Sequence, residues 1–269
     1  MKKKLIINAD DLGFSKSVNF AIKEAHQNGF LSHASLMANT HYFDHAIEEV
    51  VLQCNNLKVG LHINLTCGKS LLQNSIIAKN GNLNWTFEQL LFLRKNKQVL
   101  ETIEKEIEAQ ILKLKHNNIN ISHIDGNEHI HIIPSINKIV RKLAQKHNIP
   151  RIREINEAFW ESIRFNFNNT PIINYIKLGL LKFLSIFNEK TNDIAFYSML
   201  NTCMINEKNL FNYLENTKSQ EIEIMLHPSL GFTEDDKIGI DKRLYSFFQS
   251  PYRQQEYKLC FNEKFKQYL

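Results

Sequence analysis

Four short apolar runs in this chain each lead into a cluster of acid, amide or imidazole side chains, with helical stretches between them. The clusters are Asn8-Ala9-Asp10-Asp11, His62-Ile63-Asn64, Asp125 through His131, and His227-Pro228-Ser229. Residues 4–8 and 34–38 read as brief apolar strands, and residues 57–65 alternate with a period of two, which puts Leu57, Val59, Leu61, Ile63 and Leu65 on one face. Residues 119–125, 151–155 and 221–226 read as further short strands. Between them, Val18, Ala21, Ile22 and Ala25 form a helical stripe, followed by Ile47, Val50, Val51 and Cys54, then Leu100 to Leu114, then Ile136 to Leu143 after Pro134. Strand-helix alternation of this kind predicts a parallel sheet, open or closed into a barrel. No repeat and no Pro/Gly/Ser-rich linker interrupts the 269 residues, so the reading is one domain over 1–269. Residues 159–187, rich in Phe, Ile, Leu and Asn with a turn at Asn168-Asn169-Thr170-Pro171, read as helices packed around the sheet, or as a lid or dimer surface.

Charge and composition narrow the partners. The 33 basic and 28 acidic residues leave a formal charge of +5, but the lysines are dispersed and the longest basic run is Lys2-Lys3-Lys4. That pattern fits a mild field that aids solubility or substrate approach, and argues against nucleic acid. The basic start resembles the first part of a signal peptide, yet the apolar run meets Asn8, Asp10 and Asp11 before reaching the about seven residues a signal needs. No stretch approaches the roughly 18 apolar residues of a membrane span. Cys54, Cys67, Cys203 and Cys260 are scattered and read as small buried hydrophobes. The cytoplasm is the expected compartment.

In parallel α/β folds the loops after the strands gather at one end, so functional groups collect there. Asp10 and Asp11 read either as a helix cap and polar loop, or as two carboxylates that repel unless a cation or a shared proton lies between them. His62 lies on the polar face of its strand, as a structural histidine or a ligand. If the extended chain continues past Gly126, then Asp125, Asn127, His129 and His131 share a side. Imidazole with carboxylate suits zinc, and oxygen-rich sets suit magnesium or manganese. His227 ends the strand 221–226, and Pro228 stops further pairing.

These residues resemble the signatures of the YdjC-like carbohydrate deacetylases. The matching motifs are Asn8-Ala9-Asp10-Asp11-Leu12-Gly13-Phe14-Ser15, Gly60-Leu61-His62-Ile63-Asn64-Leu65-Thr66, His123-Ile124-Asp125-Gly126 through His131 and Pro134, and Glu223-Ile224-Met225-Leu226-His227-Pro228. They stand in the family's order along nearly the whole chain, residues 159–187 being the least recognisable part. The resemblance implies a distorted TIM-type (β/α) barrel that hydrolyses the N-acetyl group of an amino sugar, oligosaccharide or glycoconjugate by a metal-activated water. It implies one divalent ion of the Mg, Mn or Zn class, with Asp11 and His62 as ligands, Asp10 as general base and His227 as general acid. The family has His where this chain has Asn127. Either Asn127 ligates through its amide oxygen, or His129 or His131 takes over, or metal affinity is reduced.

Arg153 is the expected orienter of Asp10 or holder of a sugar hydroxyl, with an ion pair as the structural alternative; Asn64 is the other expected substrate contact. A homodimer is an open possibility. Two rival functions remain on this sequence: another metal hydrolase such as a phosphoesterase, and a glycan-binding relic without catalysis.

Overall fold

The computed structural model describes residues 3–93, 96–166, 170–202, 204–238 and 242–268. Six strands, β1 Lys4–Leu12, β2 His33–Leu36, β3 Lys58–Ile63, β4 Ile124–Gly126, β5 Ala195–Tyr197 and β6 Glu221–Leu226, form one sheet. Their order is β4-β3-β2-β1-β6-β5 and every pairing is parallel. The segment 151–156 touches both outer strands. Arg153 N–H donates to the Ile124 carbonyl of β4, and Phe196 N–H of β5 donates to the Asn156 carbonyl. The sheet is thus curled, with its two margins brought to the same stretch of chain: a distorted (β/α) barrel of the TIM type, with six strands among the described residues.

The helices are α1 Lys16–Gln27, α2 Phe43–Ala46 (continued by a π-helical turn, Ile47–Val51), α3 Phe87–Phe92, α4 Lys97–His116 and α5 Pro134–Lys146. After them come α6 Phe159–Asn166, α7 Ile172–Ser185, α8 Glu207–Asn216, α9 Tyr245–Phe248 and α10 Tyr252–Leu259. Local chemistry sets their starts. Ser15 caps α1 by accepting from Val18 N–H, Thr86 and Gln89 form a capping box on α3, and Pro134 opens α5 where a missing N–H costs nothing. The stripes of α1, α4 and α5 (Val18 and Ile22; Ile103, Ile107 and Ile111; Ile136 and Val140) are fully or almost fully buried against the sheet. The thiols of Cys54, Cys67 and Cys260 are buried and form no disulfide with one another; Cys203 lies outside the described residues.

Several boundaries differ from the sequence reading. β1 runs four residues past Asn8, because a bulge lets the strand continue through its polar cluster. The 151–155 run forms one isolated bridge, Ile152 to Ile124, in place of a strand. Residues 195–197 form a strand too short for a two-residue period to show. Extended structure also stops at Gly126, so the expected one-sided run through His131 is replaced by a tight turn. Within residues 159–187, α6 packs against α8 and α7 borders a cavity; Asn168 and Asn169 of the expected turn lie outside the described residues. No described helix is long and apolar enough to cross a membrane.

Candidate metal and catalytic site

Adjacent residues of a strand normally point to opposite faces, so Asp10 and Asp11 would be separated by a regular β1. The register between β1 and β2 slips between Ala9 and Leu12, and Asp11 has a φ of 69° in the left-handed region. A bulge of this kind re-aims a side chain, and here both carboxylates line the same cavity. Asp11 Oδ2 accepts from Arg253 Nη1 at 2.9 Å. Asp10 accepts from both terminal nitrogens of Arg153, each at 2.7 Å, and from Asn8 Nδ2 at 2.7 Å. Burial alone would raise the pKa of Asp10, but the Arg153 guanidinium outweighs it and holds the carboxyl below its ordinary value.

β3 and β4 pair so that His62 stands directly beside Asp125. His62 Nδ1 contacts Asp125 Oδ1 at 2.7 Å, which turns Nε2 toward Asp11 Oδ1, 3.8 Å away. Asp125 Oδ2 in turn accepts from Ser35 Oγ at 2.7 Å and lies 2.7 Å from Arg153 Nη1. Burial opposes a charge on His62, yet Asp125, Asp10 and Asp11 together raise its pKa. This is a field that attracts a cation. Arg153 is completely buried, and its Nε donates to Glu223 Oε1 at 2.7 Å while Arg151 binds the other oxygen. One guanidinium therefore ties three carboxylates from three strands beneath the cavity, and Arg153 is not among the residues that line it.

Past Gly126 the chain turns through Glu128 and His129, both left-handed at φ 53° and 59°. The turn places Asn127 and His129 on the cavity wall and sends His131 beneath it, where a Cβ on Gly126 would lie 3.2 Å from His131 Nδ1. Burial, with His131 and Arg153 beside it, lowers the His129 pKa to about 3, so its imidazole is neutral at ordinary pH; its buried Nδ1 has no hydrogen-bond partner. Asn64 is fully buried away from the cavity. Its Oδ1 accepts from the backbone N–H of Thr66 and Cys67, so the Thr66 hydroxyl must donate to it and can then accept from Asn127 Nδ2, at 2.7 Å. This relay fixes which end of the Asn127 amide is oxygen.

His227 follows β6 and also lines the cavity, its Nδ1 3.6 Å from Glu256 of α10. Glu256 also accepts from the His227 backbone N–H at 2.6 Å. The cavity holds about 340 Å³ and brings Asp10, Asp11, His62, Asn127, His129 and His227 together with apolar Phe14, Phe247, Phe248 and Met199. Six sequence-predicted site residues thus meet at one surface, Asn64 and Arg153 support it from behind, and His131 is not on its lining.

The donors fit a divalent ion at Asp11 and His62. Two atoms each about 2.0–2.2 Å from one ion sit between about 3 and 4 Å apart, which matches 3.8 Å, and the Asp125 contact leaves the Nε2 lone pair of His62 directed outward. Asp10, His62 and Asp125 also bring donor atoms within 4.8 Å of one another. Both of those carboxylates are already bound by Arg153, however, so an ion in their midst would face a guanidinium.

The sequence reading placed Asp125 only within its polar cluster, and left Glu223, Arg253 and Glu256 without roles. A glutamate between Ile222 and Ile224 was a visible anomaly in an apolar strand. Arg253 and Glu256 gave no signal, since they stand 242 and 29 residues from the partners they hold.

The family model described as YdjC-like protein matches residues 4–269. A carbohydrate deacetylase of Clostridium beijerinckii is 32% identical over 234 residues, covering 84% of this chain and 81% of that protein. One of Halalkalibacterium halodurans is 30% identical over 84% of this chain and 85% of its own length. One of Brevibacillus brevis is 38% identical over 149 residues, so the matched part spans little more than half of either chain, 55% and 58%. Among solved structures, a protein of Enterococcus faecalis described as a cellobiose-phosphate cleavage protein aligns with a TM-score of 0.68 at 23% identity, covering 100% of this chain and 94% of that one. That likeness supports the fold.

Proposed function

Because the chain belongs to the YdjC-like family, we propose that it is a divalent-metal-dependent hydrolase that removes the acetyl group from an N-acetylated amino sugar. The observation that carries this reading is the 3.8 Å approach of His62 Nε2 to Asp11 Oδ1 on a cavity also lined by Asp10 and His227. The curated relatives named carbohydrate deacetylase give the substrate class.

Asp11 and His62 would hold the ion, with Asn127 Oδ1 as third donor. His129 is the competing third ligand, favoured by its neutral ring and unpartnered Nδ1. When bound, such an ion polarises the acetyl carbonyl and lowers the pKa of water at the site. Asp10 stays ionised at neutral pH because Arg153 stabilises the anion, and it accepts the proton that water loses on attack. His227, with Glu256 3.6 Å from its Nδ1, supplies the proton that the departing amine takes up as the C–N bond breaks. Arg153 and Asn64 act as positioning residues, for Asp10 and for the Thr66–Asn127 relay. Phe14 and Phe248, stacked at 3.7 Å, offer apolar surface to a sugar ring or the acetyl methyl.

A phosphoesterase would place basic groups in the cavity. Arg151 and Arg153 are instead committed to carboxylates, which leaves Lys177 as the basic side chain on the described lining. The test is incubation with N-acetylated mono- and oligosaccharides, with Mg, Mn, Co, Ni and Zn each supplied. Acetate and free amine should appear one for one. Binding of the sugars without acetate release under any metal would make the chain a glycan-binding protein.

A further inference from the structure

Behind the cavity, a string of polar side chains runs from His62 toward the start of β4. Asn8, Ser35, His123 and Asp125 are all completely buried, so each hydrogen they carry needs an acceptor. Ser35 Oγ lies 2.7 Å from Asp125 Oδ2, 3.0 Å from His123 Nε2 and 3.0 Å from Asn8 Nδ2. His123 Nδ1 lies 2.8 Å from the hydroxyl of Ser122, a half-buried residue just before β4.

The hydrogens available fix the direction of every link, because a hydroxyl has one hydrogen and two lone pairs. Against the effect of burial, Arg153 and His62 hold the Asp125 carboxyl well below its ordinary pKa. Asp125 is therefore an acceptor, and Ser35 donates to it. Asn8 Nδ2 can only donate, and it serves both Ser35 Oγ and, at 2.7 Å, Asp10 Oδ1. Ser35 then has one lone pair left, which His123 must meet with a hydrogen on Nε2. Burial, with Arg151 nearby, lowers the His123 pKa to about 3. The ring is thus neutral, and its bare Nδ1 accepts from Ser122. Its seat is also shaped for it. Ser35 pairs with Gly60 across β2 and β3, and a Cβ on Gly60 would fall 2.3–2.5 Å from Cε1, Nε2 and Nδ1 of the ring.

We propose that Ser35 and His123 are positioning residues for the Asp11–His62 ion site. His123, with its hydrogen on Nε2, fills the last lone pair of Ser35 and so commits the Ser35 hydroxyl to Asp125. Asp125 Oδ2 is then fixed by Ser35 and by Arg153 Nη1, each at 2.7 Å, which leaves Oδ1 to take the Nδ1 hydrogen of His62. The His62 Nε2 lone pair stays turned toward Asp11. Through Asn8 the same hydroxyl steadies Asp10, so the ligand and the base share one buried anchor. This role rests on the ion-binding reading given above.

Nitrogen NMR of the histidine rings in the metal-free full chain should find His123 neutral at neutral pH, with its hydrogen on Nε2. Calorimetric titration with manganese and with zinc then reads the role itself. Ser35→Ala and His123→Leu should each weaken binding by about 10–100-fold, with native circular dichroism retained. His123→Gln, whose amide can still donate to Ser35, should restore most of the affinity that His123→Leu loses. The double variant Ser35→Ala/His123→Leu should bind no more weakly than the worse single variant, because both changes break one chain. Wild-type affinity in Ser35→Ala would overturn the proposal, as would a His123 hydrogen on Nδ1. So would a His123→Gln variant that folds but binds as weakly as His123→Leu. A wild-type chain that takes up neither ion would instead sink the ion-binding reading, and this role with it.

Discussion

Asp10 is the proposed base. Arg153 lowers its proton affinity and fixes its direction, and its carboxylate lines the cavity. Asp10→Asn and His227→Ala should each lower turnover by about 10²–10⁴-fold, with KM changed only a few-fold; a loss confined to KM would make them binding residues. Arg153 itself should matter to stability. With Arg153→Met, Asp10, Asp125 and Glu223 lose a shared buried cation, and urea unfolding should show a loss of about 3–5 kcal/mol. The three carboxyls have depressed pKa values in the folded protein. Their contribution is therefore present above the ordinary 3.8 to 4.5 and lost as pH falls through the lower folded values. In the variant these carboxyls lose the cation that depresses them, so that acid loss should shrink. At the third ligand position, Asn127→His should tighten zinc and His129→Ala should leave metal affinity largely intact, both read by calorimetric titration. If His129→Ala abolishes binding while Asn127→Ala does not, His129 is the ligand.

Two elements show how the chain builds the cavity wall. On β3, Gly60 lies under the buried His123 ring, and a Cβ there would fall 2.3 Å from Cε1. Gly60→Ala should cost about 1–3 kcal/mol or more by overpacking. Before α6, Glu157 is almost fully buried and accepts from Met199 N–H at 2.7 Å, tying down the segment that puts Met199 and Thr202 on the wall. Burial pushes Glu157 up to about 7, against the backbone bonds and the Lys182 charge that lower it. Its folded pKa lies above the unfolded value near 4.5, so the folded protein keeps this proton longer. Stability is full below that value and falls as pH rises toward 7, by up to about 3 kcal/mol in all. Glu157→Gln should flatten this dependence; thermal unfolding at pH 5 and pH 8 reads it. An equal slope in the variant would assign the effect to another group.

Across the whole molecule, the parallel (β/α) character was legible because each helix carried a 3.6-residue apolar stripe and each long strand ended in polar residues. β6 was read at its exact bounds, whereas β5, three residues long, was hidden because so short a run has no period. The convergence of Asp10, Asp11, His62, Asn127, His129 and His227 could be anticipated from strand ends, since topology brings those ends together. The β1 bulge and the left-handed turn at Glu128–His129 could not, because ordinary side chains adopt those angles only when tertiary contacts hold them there. Nor could Arg253 and Glu256, whose roles exist only after α10 has packed beside β6.

The proposed function stands or falls with an ion that Asp11 and His62 would hold for amide hydrolysis in this cavity. Its decisive measurement is acetate release from an N-acetylated amino sugar by chelator-treated protein with manganese restored. The wild-type chain should lose activity on chelation and regain it with the metal. Asp11→Ala and His62→Ala should stay inactive while keeping native circular dichroism. Full activity in either variant, or undiminished activity in the chelated wild type, would mean that hydrolysis does not depend on an ion at Asp11 and His62.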